Sequence, residues 1–119
     1  MPWAQNNLGV SYYRGEGVVR SYEKAAEWYR KAADQGYHLA QDNLGDLYYE
    51  GEGVEQDYRK AAEWFLKAAD QGLPGAQNSL GNLYYSGKGV EQDHRKAAEW
   101  CRKAADQGLP DAQDNLGNL

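Results

Sequence analysis

Asp42, Asp46 and Glu50 stand four residues apart, and on a helix that spacing sets three carboxylates in one line. Thirty-six positions later the same line reads Asn78, Asn82 and Ser86. Each change removes a carboxylate, while most surrounding residues stay as they were. Thirty-six positions earlier it reads Asn6, Val10 and Arg14. Like charges at this interval repel by about 0.2–0.5 kcal/mol per pair. A partner bearing Lys or Arg relieves that repulsion, so the chemistry on offer is recognition of positive charge. Chelation of a metal ion is a poor fit, because side chains on one straight helix diverge and no loop ligands complete a shell.

Other reactive side chains offer less. Cys101 occupies the position of Tyr29 and Phe65, on an apolar helix stripe, where a thiol acts as a small hydrophobe rather than a nucleophile. His38 and His94 fall at unlike positions and suggest no metal site. The pairs Gly15/Gly17, Gly51/Gly53 and Gly87/Gly89 lack the Gly-Lys and the preceding strand of a phosphate loop, and read as helix breakers. No nucleophile stands with a base. The expectation is no catalytic residue, no metal and no cofactor.

The elements that position these residues come in copies. Repeat one runs from Ala4 to Leu39, repeat two from Ala40 to Gly75, repeat three from Ala76 to Asp111, and 112–119 begin a fourth within one solenoid domain spanning 1–119. Repeats two and three differ at nine of 36 positions, so the differences stand out against a constant frame. A period in the range of about 20–50 residues signals stacked supersecondary units rather than one globule around a pocket.

Each repeat reads as two helices. Ala40, Leu44, Leu47 and Tyr48 form one apolar face of the first. Gly51 and Gly53 end it, Val54 plugs the space between the helices, and Asp57 caps the second helix, as Ser21 and Asp93 do in the other copies. Ala61, Ala62, Trp64, Phe65, Ala68 and Ala69 make the buried stripe of the second helix. Glu27 with Lys31, Glu63 with Lys67 and Glu99 with Lys103 are spaced for ion pairs. Pro74 and Pro110 suit the first turn of a following helix.

The order A-x-x-x-L-G-x-x-Y, then G-x-G-V, an Asp, and K-A-A-x-W-x-x-K-A-A-x-Q-G resembles the Sel-one-like repeats, relatives of the tetratricopeptide repeats. The resemblance extends from Ala4 to Leu119. It implies an all-α, right-handed α-α superhelix and a scaffold or adaptor role in protein–protein interaction. Some bacterial members carry a cysteine pair in each repeat, with a claimed activity toward β-lactams. This chain lacks those cysteines, so that activity does not carry over.

In tetratricopeptide-like stacks the first helices line the concave face. The resemblance therefore implies a binding surface made of Asn6, Val10, Tyr13 and Arg14, then Asp42, Asp46, Tyr49 and Glu50, then Asn78, Asn82, Tyr85 and Ser86, continued by Asp114 and Asn118. Tyr12, Tyr48 and Tyr84 fall on the buried stripe instead. The expected partner is a protein or peptide with Lys or Arg side chains. The alternative is a structural spacer or self-associating array, stacking head to tail through its ends, with Trp3 shielding the front and Leu116 left uncovered.

Charge narrows the partners further. Lys plus Arg is 13 and Asp plus Glu is 18, a net charge of −5, which disfavours nucleic acid and anionic membrane surfaces. No signal-peptide pattern or membrane-length apolar run occurs, so a soluble chain is expected, in an unspecified compartment.

Overall fold

The computed structural model describes residues 1–108; the expectations for Pro110, Asp114, Leu116 and Asn118 lie outside the described residues. Six helices of 13 residues each follow one another: α1 (Pro2–Arg14), α2 (Tyr22–Asp34), α3 (His38–Glu50), α4 (Tyr58–Asp70), α5 (Pro74–Ser86) and α6 (His94–Asp106). There is no strand among the described residues. α1 packs on α2, α3 on α4 and α5 on α6, while α2–α3 and α4–α5 join the pairs into a helical-repeat solenoid. The second helices begin at the caps read from sequence. Ser21 Oγ accepts the Lys24 N–H at 3.2 Å, Asp57 accepts the Lys60 N–H at 3.1 Å, and Asp93 accepts the Lys96 N–H at 3.0 Å. Pro74 opens α5, where its missing N–H costs no helix bond.

Within each pair, the Leu-Gly step allows close contact between helices. A Cβ on Gly9 would lie 2.5 Å from the Tyr29 ring, and one on Gly45 2.7 Å from the Phe65 ring. On Gly81 it would lie 2.7 Å from Cys101 Sγ. Three different side chains thus press onto the same bare stretch of helix. Cys101 is buried as a small apolar group in this contact, and burial pushes its thiol pKa up.

Between pairs, the two loop glycines do separate jobs. Gly51 takes φ 73° and ends α3 in the left-handed conformation, its N–H donating to Leu47 O at 2.8 Å. Gly53 brings the loop against the preceding repeat: a Cβ there would meet the Tyr22 carbonyl oxygen at 2.2 Å. Gly89 makes the same approach to Tyr58 O. Val54, half-buried, packs against the core beside this contact.

A glutamine ladder stitches the same seams. Gln41 donates to Ala33 O at 3.3 Å and accepts from Gln71 at 2.7 Å. Gln77 donates to Ala69 O at 3.2 Å and accepts from Gln107 at 2.8 Å. Both Gln41 and Gln77 are buried, so these bonds offset the loss of water that burial imposes.

The expected Glu–Lys pairs do not form. Among the described residues the ion pairs are Arg14–Glu16 and Arg30–Asp34. Lys31, Lys67 and Lys103 instead lie over the rings of Trp28, Trp64 and Trp100, with Nζ 4.3–4.4 Å from the centroids. An indole one turn back offers the lysine stem apolar contact and its ammonium an electron-rich face, which an exposed carboxylate cannot match.

Candidate binding face

The first helices α1, α3 and α5 present the residues named from sequence, and the structure sorts them. Arg14, Asp46, Glu50, Asn82, Tyr85 and Ser86 are exposed; Val10, Tyr13, Asp42, Tyr49 and Asn78 are half-buried. Asn6 departs from expectation. It is 5% exposed, because Asn43 of α3 closes over it and donates to its Oδ1 at 3.1 Å. The first-turn line position therefore lies at the repeat seam, and the open part of the line begins one turn later. Trp3 is 54% exposed, with its indole N–H on Met1 Sδ.

The tyrosines are more committed than a free contact surface requires. Tyr13 stacks obliquely on Tyr22, Tyr49 on Tyr58, and Tyr85 lies flat on His94. The Tyr13 hydroxyl also donates to Glu52 of the next repeat at 2.9 Å, and that bond is the main reason its pKa is pushed up to about 12. One repeat on, Lys88 replaces Glu52. Its Nζ stands 3.4 Å from the Tyr49 hydroxyl and over the Tyr49 and Tyr58 rings. The edges of α1 and α3 are thus each latched to the interhelix loop of the next repeat, with opposite charge at the two seams.

Two hollows flank Asp46. The smaller, of about 150 Å³, is lined by Val10, Tyr13, Arg14, Tyr29, Asn43, Asp46 and Leu47, between repeats one and two. The larger, of about 230 Å³, lies between repeats two and three; Asp46, Tyr49, Glu50, Phe65, Ser79, Asn82, Leu83 and Ser86 line it. Asn43 and Ser79 were overlooked in sequence, although they are one of the nine differences between repeats two and three. They lie one residue off the i, i+4 line, on the flank that meets the preceding repeat. Glu52 and Lys88 were missed for a similar reason: their partners sit one repeat away.

The carboxylates here are poorly compensated. Asp42 Oδ1 is buried with no hydrogen-bond partner, and burial pushes its pKa up to about 6. Asp46 opens to solvent, yet the flanking walls strip away much of its water. That loss, together with the charges of Asp42, Glu50 and Glu52, pushes its pKa up to about 7. Among the described residues, no Lys or Arg nitrogen lies within ion-pair distance of Asp42, Asp46 or Glu50. No group of His, Cys, Asp and Glu among them is arranged to hold a metal ion.

A wider hollow of about 360 Å³ crosses α2 and the α3–α4 loop, over Ala26, Leu44, Tyr48 and Val54. One repeat on, at the seam between repeats two and three, the same residues recur at those four positions: Ala62, Leu80, Tyr84 and Val90. This is the shared repeat seam, whereas the chemistry around Asp46 changes at every step along the stack.

Three consecutive segments, residues 4–37, 38–73 and 74–109, match the Sel1 repeat. The chain belongs to the Sel1 repeat family. Two of these segments open where α3 and α5 begin, at His38 and Pro74, two residues ahead of the frame set by Ala40 and Ala76. Solved structures of this type superpose closely. A protective antigen of uropathogenic Escherichia coli, c5321, described as displaying an SLR fold, shares 44% identity at a TM-score of 0.97. A Sel1 repeat protein from Oxalobacter formigenes shares 39% at 0.93, and cysteine rich protein B of Helicobacter pylori 26% at 0.81. The matches cover 98%, 98% and 97% of this chain. The chain spans 25% of the first of those proteins, 48% of the second and 89% of the third. No functionally curated protein matches. Sel1 repeat proteins generally serve as protein-interaction scaffolds. No helix among the described residues is long and apolar enough to cross a membrane.

Proposed function

We propose that this Sel1 repeat protein is a non-catalytic adaptor that holds a basic peptide or protein segment on the concave face lined by its first helices. The observation that carries the reading is Asp46, a carboxylate set between two hollows that makes no ion pair with any Lys or Arg among the described residues. A Lys or Arg reaching Asp46 from the hollow it shares with Glu50 favours the charged state of Asp46 and relieves its repulsion with Asp42 and Glu50. The test compares wild type with Asp42→Asn/Asp46→Asn/Glu50→Ser, which copies repeat three and so preserves the fold. Basic peptides retained by wild type and lost by the variant support the reading; equal retention refutes it.

A second reading, a self-associating array, draws on α1. Leu8 is 40% exposed, while its counterparts Leu44 and Leu80 are each 1% exposed under the preceding repeat. A further repeat stacked there would bury it; supplied by another copy, it makes a heterologous contact that extends in rows. Light scattering across a concentration series decides: mass that grows with concentration and falls back in Leu8→Glu supports this reading, and a constant monomer mass ends it.

A further inference from the structure

Resting on the proposed role of this face, we infer that the groove selects a segment carrying charges of both signs, with Arg14 as the residue that reads its acidic member. The last turn of successive first helices carries Arg14, Glu50 and Ser86 at one equivalent position, so the sign runs positive, negative, neutral along the stack. The two hollows inherit that order. Arg14 stands in the wall of the one between repeats one and two, and Glu50 in the wall of the one between repeats two and three. Asp46 is common to both.

Arg14 is available to a ligand. Its contact with Glu16 is 3.6 Å long, and both side chains are about two-thirds exposed (67% and 64%). An exposed pair of that kind contributes little and exchanges readily. Arg14 makes no ion pair with Asp46, although they share a hollow. The combination suits a ligand carboxylate beside Arg14 and a ligand ammonium between Asp46 and Glu50. A second ammonium at the Arg14 end would meet like charge. α1 and α3 adjoin through side chains at the seam, where Asn43 donates to Asn6 at 3.1 Å, which puts them near the upper end of helix spacings, about 10 Å, and an extended chain advances about 3.3 Å per residue. The two ligand charges are therefore about three residues apart.

Three fluorescent nonapeptides of equal length separate the possibilities: one with Glu-x-x-Lys, one with Lys-x-x-Glu and one with Lys-x-x-Lys, the remainder being Ala and Thr. Both mixed orders are included because the row of charges admits either chain direction. On wild type, the better mixed order should bind about two- to fivefold tighter than the doubly basic peptide, the scale of one exposed ion pair. Arg14→Glu, which copies Glu50 of repeat two, should reverse the preference. Arg14→Ser, which copies Ser86, should erase it and serves if the first variant loses helicity. Doubly basic binding equal to or tighter than mixed binding on wild type overturns the inference and leaves the basic-segment reading standing. A preference unchanged in both variants also overturns it, since Arg14 would then not be the reader. Failure of all three peptides on folded wild type overturns the reading itself, and the inference with it.

Discussion

Asp42 and Gly45 lie three residues apart on α3 and carry opposite kinds of constraint. Asp42 is a cost to the fold at neutral pH: its pKa in the folded protein is about 6, above the ordinary 3.8, because burial disfavours the charge. Between those values the folded state holds the proton more tightly than the unfolded chain does. Stability therefore falls as pH rises through that window. Asp42→Asn removes the effect and should raise the unfolding temperature at pH 8, with the gain shrinking toward pH 4. Thermal unfolding followed by circular dichroism at both values checks this; a gain larger at the acidic end would contradict the assignment. Gly45 is constrained by shape alone. Its missing Cβ is the space taken by the Phe65 ring. Gly45→Ala should cost about 1–3 kcal/mol in urea unfolding, the range for overpacking, and a cost near zero would mean that the helices separate freely.

At the scale of elements, the loop between the helices of a pair couples repeats through backbone rather than side chains. Gly17 and Gly53 have nearly the same φ, 77° and 75°, so alanine is strained at both. Only Gly53 faces another backbone, the Tyr22 carbonyl; Gly17 has nothing within 4 Å. Gly53→Ala should therefore destabilise more than Gly17→Ala, and chemical denaturation of the two variants gives the difference directly. Equal losses would assign both effects to φ and remove the seam contact from the account. The sequence made part of this legible. The helices, the caps Ser21, Asp57 and Asp93, and the close of α3 at Gly51 follow from local chemistry, which repeats with the residues. The role of Gly53 does not, because its partner lies in another repeat. The same holds for Asn6, placed on the exposed line by periodicity yet closed over by Asn43. Lys67 shows a third limit: i, i+4 spacing to Glu63 is a real option, but Trp64 is nearer and offers the better surface.

For the whole molecule, a near-constant frame carries a variable row. The frame is held by elements common to the copies: the Leu-Gly step within each pair, and the glutamine ladder and the second loop glycine at the seams. The row Arg14, Asp46, Glu50, Ser86 changes without disturbing any of them. That separation is why the binding stripe could be read from differences between repeats, while the hollows beside it could not: their walls include Tyr29, Asn43, Phe65 and Ser79 from helices and flanks that only stacking brings together. It also makes repeat-copying substitutions sound tests, because each replacement residue already occupies the equivalent site elsewhere in the chain.

The most direct test is titration of a labelled Lys-containing peptide into wild type and into Asp42→Asn/Asp46→Asn/Glu50→Ser, at pH 8 and at pH 6. The account predicts saturable binding by wild type at pH 8, weaker binding at pH 6 as Asp46, with its pKa of about 7, takes up a proton, and no binding by a variant of unchanged helicity. Binding that is equal in both proteins, or that strengthens as the pH falls, would contradict it.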